Sequence, residues 1–290
     1  MFDPERLLAW SFKDVRCAYA DTDAILYSLA IGIGADPTDE RQLRYVFEKN
    51  LKAFPTLALV LRHPSEVGFL DDPEVGIDMQ QMLHGETGLR IHRPLPSSGV
   101  VVSRTSIDRL VDRGEGKGAL LYFSRTVRHE DTGALLATET GSFFLRGNGG
   151  FGGEAGVTNK PAPVPARAAD LQCEMSTLAQ SALLYRLTGD RNPLHADPVL
   201  ARRTSFDRPI LHGSCTYGHT AHAIVKLLCN YDGDRLRRLD LRFTSPVYPG
   251  ETLNVEVWRL EPGIAAFRVS VPARGVIAVD NGICEFEEKS

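Results

Sequence analysis

Tyr185-Arg186-Leu187-Thr188-Gly189-Asp190-Arg191-Asn192-Pro193-Leu194-His195 is the stretch on which the reading of this chain turns. It ends an apolar helical run from Leu178 to Leu187, in which Leu178, Ala182, Tyr185 and Leu187 are placed to face a core. Gly189 stops that helix, as glycine commonly does just past a last turn. Pro193 keeps the residues after it from re-entering a helix. Asp190 and His195 therefore fall on one irregular loop, a carboxylate and an imidazole near enough to hold a water and move its protons close to neutral pH. Taken alone, Asp190 is better read as a residue capping or bracing its loop, and His195 as a hydrogen-bonded structural histidine.

The whole eleven-residue string is more specific than the pair. It resembles the G-D-x-N-P-x-H signature of the MaoC-like, type-2 (R-specific) enoyl-CoA hydratases. The resemblance continues through Arg208-Pro209-Ile210-Leu211-His212-Gly213-Ser214-Cys215-Thr216-Tyr217-Gly218 and Leu241-Arg242-Phe243-Thr244-Ser245-Pro246-Val247-Tyr248-Pro249-Gly250-Glu251. In the first half it includes Leu83-His84-Gly85-Glu86 and Arg90-Ile91-His92-Arg93-Pro94-Leu95-Pro96, so nearly the full length is covered in family order.

The resemblance implies Asp190 and His195 as the catalytic pair, acting on a CoA thioester in fatty acid metabolism. It implies thioester contacts at His84, Gly85 and Phe243, and at Arg113, where the family carries lysine; arginine keeps the charge and changes the geometry. Arg191, Pro193 and Leu194 of the signature, with His212, complete the expected substrate-binding set. Asn192 is expected to position the loop or the substrate, with simple turn chemistry as its alternative. Glu48 matches a family carboxylate, but nothing local to it separates chemistry from structure.

Gly213 has an argument of its own. It stands where a loop becomes a long helix, so its N–H is one of the free donors at a positive helix end. Hydration of an enoyl thioester passes through an enolate, and a backbone donor at that oxygen is worth roughly 3 to 4 kcal/mol in known cases. The missing side chain lets a thioester approach. A glycine needed only for turning or packing is the plain alternative.

With 290 residues the chain fits one large or two medium domains, and 43% hydrophobic with 24% charged residues is ordinary for buried cores. A formal net charge of -4 argues against a general nucleic-acid binder. Five scattered cysteines without C-x-x-C fit free thiols in a reducing compartment. The start has no basic and apolar leader pattern, no apolar run approaches a membrane span, and Glu288-Lys289-Ser290 is not a peroxisomal address; the expectation is cytoplasmic.

Along the chain, Trp10 to Arg16 reads as a strand and Asp21 as the cap of a helix from Asp23 to Ile33. Its Leu26-Tyr27-Ser28-Leu29 echoes Leu184-Tyr185-Arg186-Leu187, and Leu89-Arg90-Ile91 with Pro94-Leu95 echoes Leu241-Arg242-Phe243 with Pro246-Val247. One unit used twice, about 150 residues apart, is the reading, with chemistry kept only in the second copy. Apolar residues follow Phe54-Pro55-Thr56 to Leu61, and then turn signals space short strands from Gly88 to Arg146 as an antiparallel meander. Residues 1–150 form the first unit and 151–168 a Gly- and Pro-rich linker; 169–290 form the second unit. That second unit reads as a strand near Asp170 to Glu174, the signature, a long helix from Gly213 to Leu228, and four strands. The fold implied by the resemblance is α+β, a double hotdog in which antiparallel sheet wraps a long helix.

Three motifs do not carry the chemistry they suggest. Gly147-Asn148-Gly149-Gly150-Phe151-Gly152 fits G-x-G-x-x-G but runs into a Pro-rich stretch. Gly114 to Gly118 contains G-K without P-loop spacing. His212, His219 and His222 share a helix without H-E-x-x-H. The expectation is no metal and no cofactor, an acyl-CoA substrate, and a homodimer by family resemblance. Other outcomes are a hotdog thioesterase, a dehydratase acting on acyl carrier protein, and a non-catalytic acyl-CoA binder. Cys215 beside Gly213 invites a covalent nucleophile, but it lies in the apolar start of a helix, where a thiol is buried and inert.

Overall fold

The computed structural model describes residues 2–62, 66, 68–153, 163–204 and 206–289. Of the linker expected at 151–168, residues 154–162 lie outside these. Among the described residues ten strands join one antiparallel sheet, the fourth of them (Ala119–His129) alternating in burial along almost its whole length. They are β1 (Val15–Tyr19), β2 (Met82–Ile91), β3 (Gly99–Asp112), β4 (Ala119–His129), β5 (Leu135–Leu145), β6 (Leu171–Ser176), β7 (Leu236–Phe243), β8 (Thr252–Glu261), β9 (Ile264–Val271) and β10 (Val276–Phe286). The spatial order is β1-β3-β4-β5-β2-β7-β10-β9-β8-β6. Read from its outer edge, each half uses its strands in the same sequence: first, third, fourth, fifth, second. The halves meet where β2 pairs β7, from Glu86 opposite Arg242 to Arg90 opposite Arg238.

The helices are α1 (Pro4–Leu8), α2 (Asp21–Ala30), α3 (Glu40–Leu43), α4 (Gly68–Asp71), α5 (Ser181–Tyr185), α6 (Pro198–Arg203) and α7 (Gly213–Cys229). Every residue of α7 from Cys215 to Val225 is buried, so it is a core helix rather than a surface one. Several of its polar residues are satisfied locally or across the core, while His222 Nε2 is buried without a partner among the described residues. Thr220 donates to the Thr216 carbonyl at 2.8 Å and Tyr217 to the Leu239 carbonyl at 2.6 Å. At Gly218 a Cβ would fall 2.3 Å from the Ile31 side chain, so only glycine lets the end of α2 lie against α7. The two tyrosines of the repeated Leu-Tyr-x-Leu, Tyr27 and Tyr185, are both fully buried and meet with ring centroids 6.2 Å apart.

Several expectations change. Leu178 and Leu187 are 52% and 55% exposed; only Ala182 and Tyr185 of that apolar set are buried, because α5 is a single short turn and Arg186–Thr188 tightens into a 3-10 helix. Asp21 lies inside α2, whose N-cap is Ala20, with Asp23 accepting from the Ala20 N–H at 2.7 Å. The first strand is Val15–Tyr19, and Trp10 instead packs on Phe69. Among the described residues the first half has no counterpart to the 17-residue α7: α2 ends at Ala30, Gly32 and Gly34 beyond it are at positive φ, and Pro55–Leu59 forms a 3-10 turn.

That turn is held by buried charge. Arg125 and Glu139 face each other across β4 and β5 at 1% and 2% exposure, and Arg125 donates to Glu139 at 2.8 Å, to the Ala58 carbonyl within the turn at 2.5 Å and to the Leu61 carbonyl just past it at 2.9 Å. Arg62 completes the group, donating to Glu139 at 2.5 and 2.6 Å.

Candidate active site

The signature loop is built by short-range hydrogen bonds. Gly189, at φ 125°, turns the chain out of the 3-10 turn that ends α5. Asp190 accepts from the Asn192 N–H at 3.1 Å, and Asn192 in turn accepts from the Leu194 N–H at 3.0 Å, capping the 3-10 turn Pro193–His195. The Asn192 side chain is thus engaged in holding the loop. The two turns bring Asp190, which stays exposed, next to His195, which is 8% exposed.

His195 has a defined tautomer. Its Nδ1–H donates to the Ile210 carbonyl at 2.9 Å, and a carbonyl can only accept, so Nε2 keeps its lone pair. His212, the N-cap residue of α7 and 1% exposed, donates from Nε2–H to the Asp190 carbonyl at 3.1 Å. The two imidazoles stack with centroids 3.7 Å apart and planes at 28°. Burial pushes the His195 pKa down against the pull of the Ile210 bond and the Asp190 charge. It pushes His212 down to about 4, helped by the neighbouring His195. Both rings are therefore neutral at pH 7.

Asp190, His195 and His212 offer donor atoms within 4.8 Å of one another. The rings stack face to face, however, so their in-plane lone pairs do not converge on a point about 2.1 Å from each nitrogen, as a bound zinc requires. The arrangement suits a water better than an ion.

Gly213 opens α7 directly after His212, and the space of its absent side chain is bounded by the Phe243 ring, 3.4 Å from where a Cβ would lie. Phe243 touches His84 with centroids 5.4 Å apart, and His84 touches Phe143 at 5.2 Å. Gly85 sits at a register shift between β2 and β5, where a Cβ would be 2.7 Å from Ser142 Oγ; this bulge aims His84 at Phe243. Burial pushes the His84 pKa down to about 4, and its ring shares a 3.0 Å hydrogen bond with Thr87. The structure thus gathers Asp190, His195, His212, Gly213, His84 and Phe243 from both halves of the chain. Arg191, Pro193 and Leu194 lie on the loop itself, the first two exposed.

Arg113 is not brought to this group. It lies on the β3–β4 hairpin with its guanidinium 5.6 Å from Phe144, which leaves β5 on the face opposite Phe143. Glu48 is exposed. Cys215 is fully buried and its thiol pKa is raised well above the ordinary value by burial, which rules against a nucleophile. The glycine run after β5 spends its N–H groups on its own chain: Gly150 and Gly152 donate to Asp112 at 2.8 Å each.

Sequence reasoning missed three features. Ile210 acts through its carbonyl, which no side-chain pattern reveals. His212 reaches Asp190 across 22 residues. A cavity of about 140 Å³ opens beside Leu187 and Thr188, lined from the first half by Tyr19, Leu26, Leu57 and Leu61; the Phe54 to Leu61 apolar run was its only signal.

Residues 160–281 match the MaoC like domain and residues 17–147 the MFE-2 hydratase 2 N-terminal domain. An enoyl-CoA hydratase of Mycobacterium tuberculosis is 39% identical, covering 97% of this chain and 97% of its own. The chain belongs to the MaoC-like hydratase and dehydratase family. A probable enoyl-CoA hydratase 2 of Dictyostelium discoideum is 34% identical over 98% of this chain and 97% of its own, and a peroxisomal enoyl-CoA hydratase 2 of Arabidopsis thaliana is 36% identical over 89% and 87%. Among solved structures, a MaoC-like dehydratase from Phytophthora capsici superposes with a TM-score of 0.86 at 29% identity, covering 99% of this chain and all (100%) of its own. A Mycobacterium tuberculosis protein described as a double hotdog matches with a TM-score of 0.57 at 15% identity over 96% of each chain; it speaks to the fold alone. The MaoC-like fold is therefore the double hotdog, with α7 as its central helix.

Proposed function

We propose that this protein is an (R)-specific enoyl-CoA hydratase, a hydro-lyase adding water reversibly to a trans-2-enoyl-CoA to give the (3R)-3-hydroxyacyl-CoA. The observation that carries this is the His195 tautomer: Nδ1–H is committed to Ile210, so a basic Nε2 stands beside the Asp190 carboxylate. A water held between the two gives its hydroxyl to C3, while a proton is delivered to C2. The two act on one water, so base and acid are roles of the pair rather than of either residue. The Gly213 N–H stabilises the enolate oxygen. His84 and Phe243 seat the thioester, and the cavity beside Thr188, whose lining includes Leu26, Leu57, Val60 and Leu61 as well as Asp23 and Arg62, takes the acyl chain.

The reading needs no cofactor, because the thioester already acidifies the position next to its carbonyl. It needs no metal either, which agrees with the stacked imidazoles. Residues 1–150 supply part of the substrate site and 169–290 the catalytic pair. A homodimer and a cytoplasmic setting belong to the same proposal; no helix among the described residues is long and apolar enough to cross a membrane.

The test is incubation with crotonyl-CoA and a longer trans-2-enoyl-CoA, following enoyl absorbance, free thiol and the hand of the product. Loss of the enoyl chromophore with (3R) product and no free thiol is expected. Thiol release without hydration would make it a thioesterase, and saturable binding without turnover a binding protein.

A further inference from the structure

His212 touches both members of the pair. It is buried at the start of α7, donates Nε2–H to the Asp190 carbonyl at 3.1 Å, and lies 3.7 Å from the His195 ring on one side and 5.0 Å from the Tyr185 ring on another. With the proton on Nε2, Nδ1 is a lone-pair acceptor, and it is buried without a hydrogen-bond partner among the described residues. A buried acceptor left unpaired is unfavourable. A phenylalanine would stack on the same two rings without that cost. What it lacks is a donor for Asp190.

We propose that His212 is a positioning residue for the hydration: its ring sets the spacing of the catalytic pair by donating to the backbone of one member and stacking on the other. This rests on the hydratase reading above. Asp190 is exposed, and its place is set by few contacts: the Asn192 N–H on its carboxylate and the His212 N–H on its carbonyl. Removing the second frees the peptide that carries the carboxylate, while the thioester contacts at His84, Gly213 and Phe243 stay as they are. The loss falls on turnover rather than on binding. The titratable and charged groups around the ring are Asp190, His195, Arg186 and Tyr185. Its Nε2–H is held by a backbone carbonyl and its Nδ1 meets no hydrogen-bond partner among the described residues, so the ring is given a positioning role and no proton transfer.

The experiment measures kcat and KM for crotonyl-CoA separately across pH, on full-length wild type, H212F and H212Q, with circular dichroism as the fold check. H212F is expected to lose about 10²-fold in kcat with KM within about threefold of wild type, the size of effect that a displaced catalytic group brings. H212Q, whose amide N–H can reach the same carbonyl, is expected to regain about tenfold of that loss. Both keep the wild-type limbs of the pH profile. The proposal is overturned by an H212F kcat within about threefold of wild type, by a loss confined to KM, or by an H212Q no better than a folded H212F. It is also overturned by a pH limb that disappears, which would make His212 a proton donor or acceptor. If H212F does not fold, H212Q decides alone: a kcat loss uniform across pH supports the proposal, and unchanged kcat overturns it. Wild type without hydration would instead overturn the hydratase reading.

Discussion

His195 serves a base-catalysed hydration only with Nε2 unprotonated, and two features of its surroundings enforce that: the Ile210 carbonyl and burial. The acid limb of kcat/KM therefore lies below the ordinary histidine pKa of about 6.5. A limb above that value would show that burial does not control the ring. His212 carries the same argument into stability. Its folded pKa of about 4 is below its unfolded value, so the unfolded chain binds more protons between these two. Its contribution is fully present above about pH 6.5 and is lost as pH falls towards 4. The urea midpoint of wild type should drop between pH 7 and pH 5 by more than that of H212F; equal drops would contradict the shift. At Gly213, an added Cβ meets the Phe243 ring at 3.4 Å, in the space a thioester would share. G213A is expected to fold but to lose about 10²-fold in kcat/KM; activity within threefold of wild type would show that the space of the absent side chain is not where the thioester sits. The Asp190 and His195 pair was readable because its loop is local in sequence and punctuated by Gly189 and Pro193. The Ile210 and His212 contacts were not, since backbone acceptors 15 and 22 residues away are set by tertiary packing.

Strands were legible from alternation, and α7 from the spacing of Tyr217, Ala221, Ile224 and Leu228, all buried as that spacing requires. α5 was not, because apolar identity was taken for burial: Leu178 and Leu187 carry the helical pattern and face outward. L178S should accordingly change stability by no more than about 0.5 kcal/mol; a larger loss by urea denaturation would return it to the core. The opposite holds for the charges holding the 3-10 turn Pro55–Leu59. Removing Arg125 leaves Glu139, 2% exposed, with Arg62 as its remaining partner, and deletes the donor to Leu61. R125A is expected to cost about 3 to 5 kcal/mol. A loss below about 1 kcal/mol would mean the pair contributes little.

At the scale of the molecule, the repeated strand order and the meeting of Tyr27 with Tyr185 express the duplication that two short sequence echoes announced. What the echoes did not announce is division of labour. One half carries Asp190, His195 and α7; the other carries His84 and most of the cavity wall. Residues 169–290 alone would expose the β7 edge that pairs β2 and lack His84. That fragment is expected to be inactive by itself and to regain activity only when co-expressed with residues 1–150. Activity of the isolated fragment would contradict a site shared between the halves.

The most direct measurement is the rate of crotonyl-CoA hydration by wild type, D190N and H195Q, each verified as folded. Wild type is expected to hydrate crotonyl-CoA, and each substitution to lower kcat by several orders of magnitude with little change in KM. Wild-type-like kcat in either folded variant would contradict this, because the pair would then not be what moves the water's protons.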